Sequence, residues 1–108
     1  MNSIAKTPQK PYYAVIFTYK RTNVDNGYEV MEKKTTEMVA KMKGFLGYES
    51  SKDESGFGVI ISYWDSEESI NTWRSNQVHR SAKEGGREQW YSEFATRICK
   101  VEDDYYSE

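Results

Sequence analysis

His79 is the single histidine of the chain and the one side chain whose ordinary pKa lies near neutrality. Asn76 precedes it by three residues, so on a helix the two share a face. Such a pair could accept a proton from, or hydrogen-bond to, a bound phenolate or oxygen species. A structural histidine near a helix end would look the same. Trp73 follows Ile70 by three residues on an apolar stripe; it is either core or an aromatic wall with an indole N–H donor. Trp90 and Tyr91 form a second aromatic pair, and Tyr13, Phe17 and Tyr63 a further group. These could line an aromatic cavity, although an aromatic-rich small core uses the same residues. Arg74 and Arg97 could hold an anion or stand as solvated charges. Cys99 is expected near a strand end as a buried, inert thiol.

No phosphate-binding loop, G-x-S-x-G elbow or H-E-x-x-H pattern is present. Gly85-Gly86 lacks the spacing and the preceding strand of a dinucleotide loop. One histidine and one cysteine rule out a multi-histidine metal site, a Cys-rich zinc site and an internal disulfide. Any chemistry must then come from a pocket and from the reactivity of what it binds. The candidates concentrate between Trp64 and Tyr91.

The elements that would position them follow from periodicity. Tyr12 to Lys20 is β-branched and aromatic and reads as a strand, apolar at its centre on both faces. Tyr28, Met31, Thr35, Met38 and Met42 recur at helical spacing, with basic residues toward the end. Asp25 or Asn26 can cap this helix and Gly44 can end it. Phe45 to Lys52 and Phe57 to Trp64 read as strands around an Asp53-Glu54-Ser55-Gly56 turn. In the second of these, Val59, Ile61 and Tyr63 face one way and Ile60 and Trp64 the other. Asp65, with Glu68 three residues on, predicts a capped helix carrying Ile70 and Trp73. A short helix is expected from about Asn76 to Glu84, broken by Gly85-Gly86. Trp90 to Val101 reads as a last strand, with a helical turn at its start, before an acidic tail.

The order β-α-β-β-α-β predicts an α+β, ferredoxin-like fold with an antiparallel sheet and helices on one face. The other face would ordinarily be polar, yet the first and third strands are apolar on both sides. A second copy packed sheet to sheet would cover it; a ligand groove in a monomer is the alternative.

Length and composition agree with one domain. The chain has 108 residues, and aromatics at 15% are far above what disordered chains carry. Fifteen basic against 17 acidic residues leave a net charge of −2. No basic excess draws the chain to nucleic acid or to an anionic membrane. There is no apolar run of transmembrane length and no signal-like leader, so a reduced, cytoplasmic setting is expected.

Taken together, Gly44-Phe45-Leu46-Gly47-Tyr48-Glu49-Ser50, Ser62-Tyr63-Trp64-Asp65-Ser66-Glu67-Glu68, Trp73, Asn76, His79, Ala82, Gly86, Trp90-Tyr91 and Arg97-Ile98 resemble the antibiotic biosynthesis monooxygenase domain family. The resemblance spans residues 12–105, between an N-terminal arm, 1–11, expected to be loose, and a tail, 106–108. It implies a homodimer whose two sheets form an α+β barrel, with a pocket in each subunit between sheet and helices. It implies a monooxygenase acting on an aromatic or quinol-like molecule with dioxygen and no flavin, metal or haem. Trp73, Asn76 and His79 match the catalytic positions, and Tyr63, Tyr91 and Phe17 would contact substrate. A related branch binds and degrades haem, with its histidine later on the helix, near Lys83, and an asparagine on the first strand. Neither feature is present here. A haem-binding or haem-degrading protein is the first alternative reading, and a non-catalytic dimeric ligand-binding protein the second.

Overall fold

A computed structural model describes residues 3–7, 10–76 and 89–107. The order is β1 (Tyr12–Arg21), α1 (Tyr28–Val39), β2 (Phe45–Lys52), β3 (Phe57–Trp64), α2 (Glu67–Arg74) and β4 (Tyr91–Val101). The strands form one antiparallel sheet in the order β2-β3-β1-β4. This is the split βαβ plan expected from the sequence. The expected short helix from about Asn76 to Glu84 falls largely outside the described residues, as do His79, Ala82, Gly85 and Gly86.

Helix boundaries differ from the sequence reading in detail. α1 starts after Gly27, whose φ of 92° only glycine adopts freely. Asp25 still helps, accepting the Glu29 N–H on Oδ1 at 3.3 Å. The helix stops at Val39, three residues before Met42, because the chain tightens. Lys41 N–H bonds Met38 O at 3.1 Å and Met42 N–H bonds Val39 O at 3.0 Å, the three-residue spacing of a terminal turn. α2 is capped by Ser66, not Asp65: Ser66 Oγ accepts the Ser69 N–H at 3.1 Å. Asp65 Oδ1 instead accepts from Ser69 Oγ at 2.7 Å. Gly44 links these turns, with φ 89° and no room for a side chain. A Cβ there would lie 2.6 Å from Ser69 Cβ.

Strand register decides which residues meet. Tyr13 pairs with Trp64 and Val15 with Ser62, so they share a face. That face carries the helices. Trp64, Ile70 and Trp73 form its buried core, with Tyr13, Val15, Met38, Val39, Met42 and Phe45 packed around them. Trp64 stacks on Trp73 at 6.4 Å and meets the Phe45 ring edge-on at 5.4 Å. Its Nε1–H donates to Ser62 Oγ at 2.9 Å.

The opposite face holds Ala14, Ile16, Thr18, Val59, Ile61 and Tyr63. Ile16, Val59 and Ile61 are only partly buried there, and Phe57, on the same side by its pairing with Lys20, is 51% exposed. Cys99 pairs with Ala14 on this side of the edge strand β4. It is exposed, which corrects the expectation of a buried thiol. Residues 3–7 and 102–107 come together at one end of this face. Thr7 Oγ1 lies 2.8 Å from Tyr106 Oη, Tyr12 Oη donates to Asp104 at 2.6 Å, and Lys10 pairs with Asp103.

Candidate functional site

At the other end of the helix-bearing face, β1, β4 and the first turn of α1 bring six aromatic rings together. Phe17 meets Tyr91 edge-on at 5.3 Å and Phe94 at 5.7 Å. Tyr19 lies 5.4 Å from Phe17 and 5.2 Å from Tyr91. Tyr28 meets Trp90 at 5.6 Å and Tyr91 at 5.9 Å, both edge-on. These are the separations at which aromatic pairs attract beyond simple burial. Sequence alone separates them by up to 77 residues; the β1–β4 register, Tyr19 opposite Phe94 and Arg21 opposite Tyr91, joins them.

Two hydrogen bonds to its carbonyl pin Trp90 in place, one from the Thr22 backbone N–H at 2.9 Å and one from the Arg21 side-chain Nε–H at 3.0 Å. Arg21 also lays its guanidinium over the Tyr28 ring, 3.5 Å from the centroid. Tyr91 Oη donates to Tyr28 Oη, and Tyr28 Oη to Glu32 Oε2, each at 3.4 Å. Burial pushes the Tyr28 phenol well above its ordinary value, and the Tyr91 hydrogen bond adds to the shift. Burial likewise raises Tyr91 and pushes Tyr19 up to about 12. All three are neutral donors at neutral pH.

This arrangement makes a stability prediction. An unfolded phenol titrates near 10.0 and the folded Tyr19 near 12. The contribution is complete below the unfolded value and is lost as pH rises through the folded one. Thermal unfolding temperature is therefore expected to fall steeply between about pH 10 and 12. Tyr19→Phe, which removes one titrating hydroxyl, should lessen that fall and leave the part carried by Tyr28, Tyr91 and Tyr63, which burial also raises.

The layer is sealed unevenly. Tyr19, Tyr28 and Trp90 are buried, but Phe94 and Ile98 on β4 remain 38% and 43% exposed beside them. Two buried polar atoms lack a hydrogen-bond partner among the described residues, Trp90 Nε1 and Thr35 Oγ1. Thr35 lies on the inward stripe of α1 between Met31 and Met38.

The residues singled out in the sequence divide among three places. Phe17 and Tyr91 fall in this aromatic layer. Trp73 is 7% exposed within the main core. Of the two readings open for Trp73, core or aromatic wall, the packing supports core: its ring stacks on Trp64 at 6.4 Å, and Phe45 and Met42 pack against the same cluster. Asn76 lies just past the end of α2, after the Ser75 C-cap, half-buried, its N–H bonded to Trp73 O at 2.9 Å. His79 lies outside the described residues. Tyr63 is on the opposite face of the sheet from Phe17 and Tyr91, because it pairs with Ala14 while Phe17 pairs with Ile60. It cannot line the same cavity. It donates to Glu49 Oε1 at 2.6 Å, beside Tyr12, in a cleft of about 260 Å³ bounded by residues 4–7 and 104–107. Burial, with Glu49 beside it, raises the Tyr63 phenol. Tyr28 and Thr35 had been read only as members of the helical stripe. No local signal distinguishes them, since their surroundings are set by β4.

A two-layer, antiparallel α+β domain with an aromatic layer between sheet and helix is the class of protein defined so far. The family model for antibiotic biosynthesis monooxygenase matches residues 29–85. YqjZ, an uncharacterized protein of Bacillus subtilis, is 43% identical over 102 residues, 94% of this chain and 90% of its own. The chain belongs to the antibiotic biosynthesis monooxygenase family. Among solved structures, Rv0793 of Mycobacterium tuberculosis superposes with a TM-score of 0.75 at 12% identity, covering 88% of this chain and 99% of its own. SnoaB of Streptomyces nogalater, a cofactor-independent oxygenase, gives 0.70 at 10% identity, covering 82% of this chain and 91% of its own. At these identities the likeness is one of fold. No helix among the described residues is long and apolar enough to cross a membrane.

Proposed function

We propose that the protein is a monooxygenase that oxidises an aromatic or quinol-like small molecule with dioxygen, without a bound cofactor. The observation that carries this reading is the aromatic layer of Phe17, Tyr19, Tyr28, Trp90, Tyr91 and Phe94, open on one flank, in a chain of this family. An electron-rich substrate, deprotonated to its phenolate or enolate, supplies the electrons. In an anthrone a CH₂ becomes C=O, and in a hydroquinone a ring C–H becomes C–OH as the ring is oxidised to the quinone; either way one oxygen atom of O₂ enters the product and the other leaves as water with two hydrogens from the substrate. The protein's part is to exclude water, hold the ring and move protons. We assign proton transfer to His79 and hydrogen bonding to the developing charge to Asn76. Oxygen uptake with a panel of hydroquinones and anthrones tests the reading. Uptake with a mono-oxygenated product is expected; no uptake with any of them would leave a ligand-binding protein.

We further infer a homodimer through the helix-free face of the sheet. Ile16, Val59, Ile61 and Phe57 leave apolar surface on that face with no element of the described chain over it. Light scattering is expected to give twice the 12.6 kDa chain mass. Ile61→Glu, which puts a charge at the centre of that face, should shift the protein to monomer. A stable monomer of the parent at micromolar concentration would contradict the assignment.

A further inference from the structure

Native proteins leave very few buried donors without an acceptor. Trp90 is 6% exposed, and its Nε1–H has no partner among the described residues. Trp64, equally embedded in aromatic surroundings, gives its Nε1–H to Ser62. Thr35 Oγ1 is in the same condition as Trp90. Helical threonines commonly satisfy their hydroxyl on the carbonyl four residues back. Thr36 does so on Glu32 O at 2.9 Å, and Thr72 on Glu68 O at 3.1 Å. Thr35 has the Met31 carbonyl at the same spacing and makes no such bond. The Trp90 ring packs against Tyr28 at the start of α1, and Thr35 lies farther along the same helix.

We propose that Trp90 Nε1 donates a hydrogen bond to an oxygen substituent of the aromatic substrate, with Thr35 Oγ1 as a second polar contact farther along the ring system. This deepens the monooxygenase reading and rests on it. Tyr28, the ring partner of Trp90, and Thr35 are seven residues apart, roughly 10 Å along the helix axis, which fits a few fused aromatic rings. Walls of Phe17, Tyr91 and Phe94 suit such a plane.

The same surroundings set the charge of the ligand. The other donors near Trp90 are phenols that stay protonated at neutral pH, Tyr19, Tyr28 and Tyr91. Glu32 is a carboxylate acceptor for Tyr28. Arg21 is committed to the carbonyls of Trp90 and Val24, both at 3.0 Å, and to the Tyr28 ring. Uncharged donors beside a carboxylate match a phenol or carbonyl oxygen and disfavour a ligand carboxylate. The selected class is therefore a phenolic or quinonoid aromatic without an acid group.

The test is a titration of nitrogen-15-labelled protein with 2-naphthol and, separately, 2-naphthoate. It is read at the indole N–H resonances of the three tryptophans, assigned through the backbone. With 2-naphthol, the Trp90 indole proton is expected to move downfield as its bond forms, while that of Trp64 stays in place. Trp90→Phe, which keeps most of the ring, should weaken 2-naphthol binding by about fivefold or more. 2-Naphthoate should move the Trp90 resonance little or not at all. If 2-naphthol moves the Trp73 indole or the Asn76 amide but leaves Trp90 unmoved, the assignment to Trp90 is overturned and the aromatic ligand binds by the main core and the end of α2 instead. If no resonance moves, the inference fails together with the aromatic-site reading. Equal responses to the two probes would overturn the charge selectivity.

Discussion

Trp64→Ala and Trp73→Ala are each expected to lose about 3–5 kcal/mol of folding stability. Trp64 is fully buried and Trp73 is 7% exposed, stacked on it. Their loss would leave a void between α2 and the sheet that Ile70, Phe45 and Met42 could fill only in part. A whole domain of this size has about 5–15 kcal/mol, so either variant loses a large share of the total and should unfold at a much lower urea concentration than the parent. Urea unfolding followed by far-ultraviolet circular dichroism measures this. Because the rings touch, the double variant should cost less than the sum of the two. Parent-like unfolding of Trp73→Ala would contradict its place in the core and return it to the set of candidate catalytic groups.

The second large effect is kinetic. Once a substrate is found, Asn76→Ala should slow turnover by about 10²- to 10³-fold if Asn76 donates to developing charge. His79→Ala should slow it by about 10²- to 10⁴-fold if His79 moves the proton. Asn76 is half-buried just past the end of α2, with its own N–H tied to Trp73 O. Because Asn76 is half-buried and Trp73 is in the core, Asn76→Ala is expected to lower the unfolding temperature less than Trp73→Ala. Stopped-flow rates beside thermal melts separate the two. Parent rates in both alanine variants would remove this pair from the mechanism. A large melting shift with unchanged kinetics would make them structural.

Much of the fold was legible because the strands announce themselves. The alternation in Phe57 to Trp64 assigned Val59, Ile61 and Tyr63 to one face and Ile60 and Trp64 to the other, and the register bears this out. The apolar character of both faces of β1 was equally visible. What could not be read was which strand faces correspond across the sheet. Tyr63 was grouped with Phe17 although pairing with Ala14 puts it on the far side. Cys99 was placed inside because the edge position of β4 is a property of topology, not of its own residues. The aromatic layer was half visible: Phe17 and Tyr91 were named, while Tyr28 and Thr35 passed as helix core. Their chemistry depends on Trp90 and Tyr91, some sixty residues away in the chain, coming to lie against the first turn of α1. Helix ends were less legible than helix faces, because Ser66 and Asp65 offer nearly equal caps, and only the path out of Gly44 decides between them.

The most direct test of the central claim is isotopic. Purified protein, dialysed against chelator and checked for flavin and haem absorbance, is given an accepted hydroquinone or anthrone under oxygen-18 gas. The account predicts one labelled oxygen atom per product molecule and a rate unchanged by added flavin, metal or haem. Turnover that begins only when haem or flavin is added, or a product whose new oxygen comes from water, would contradict it.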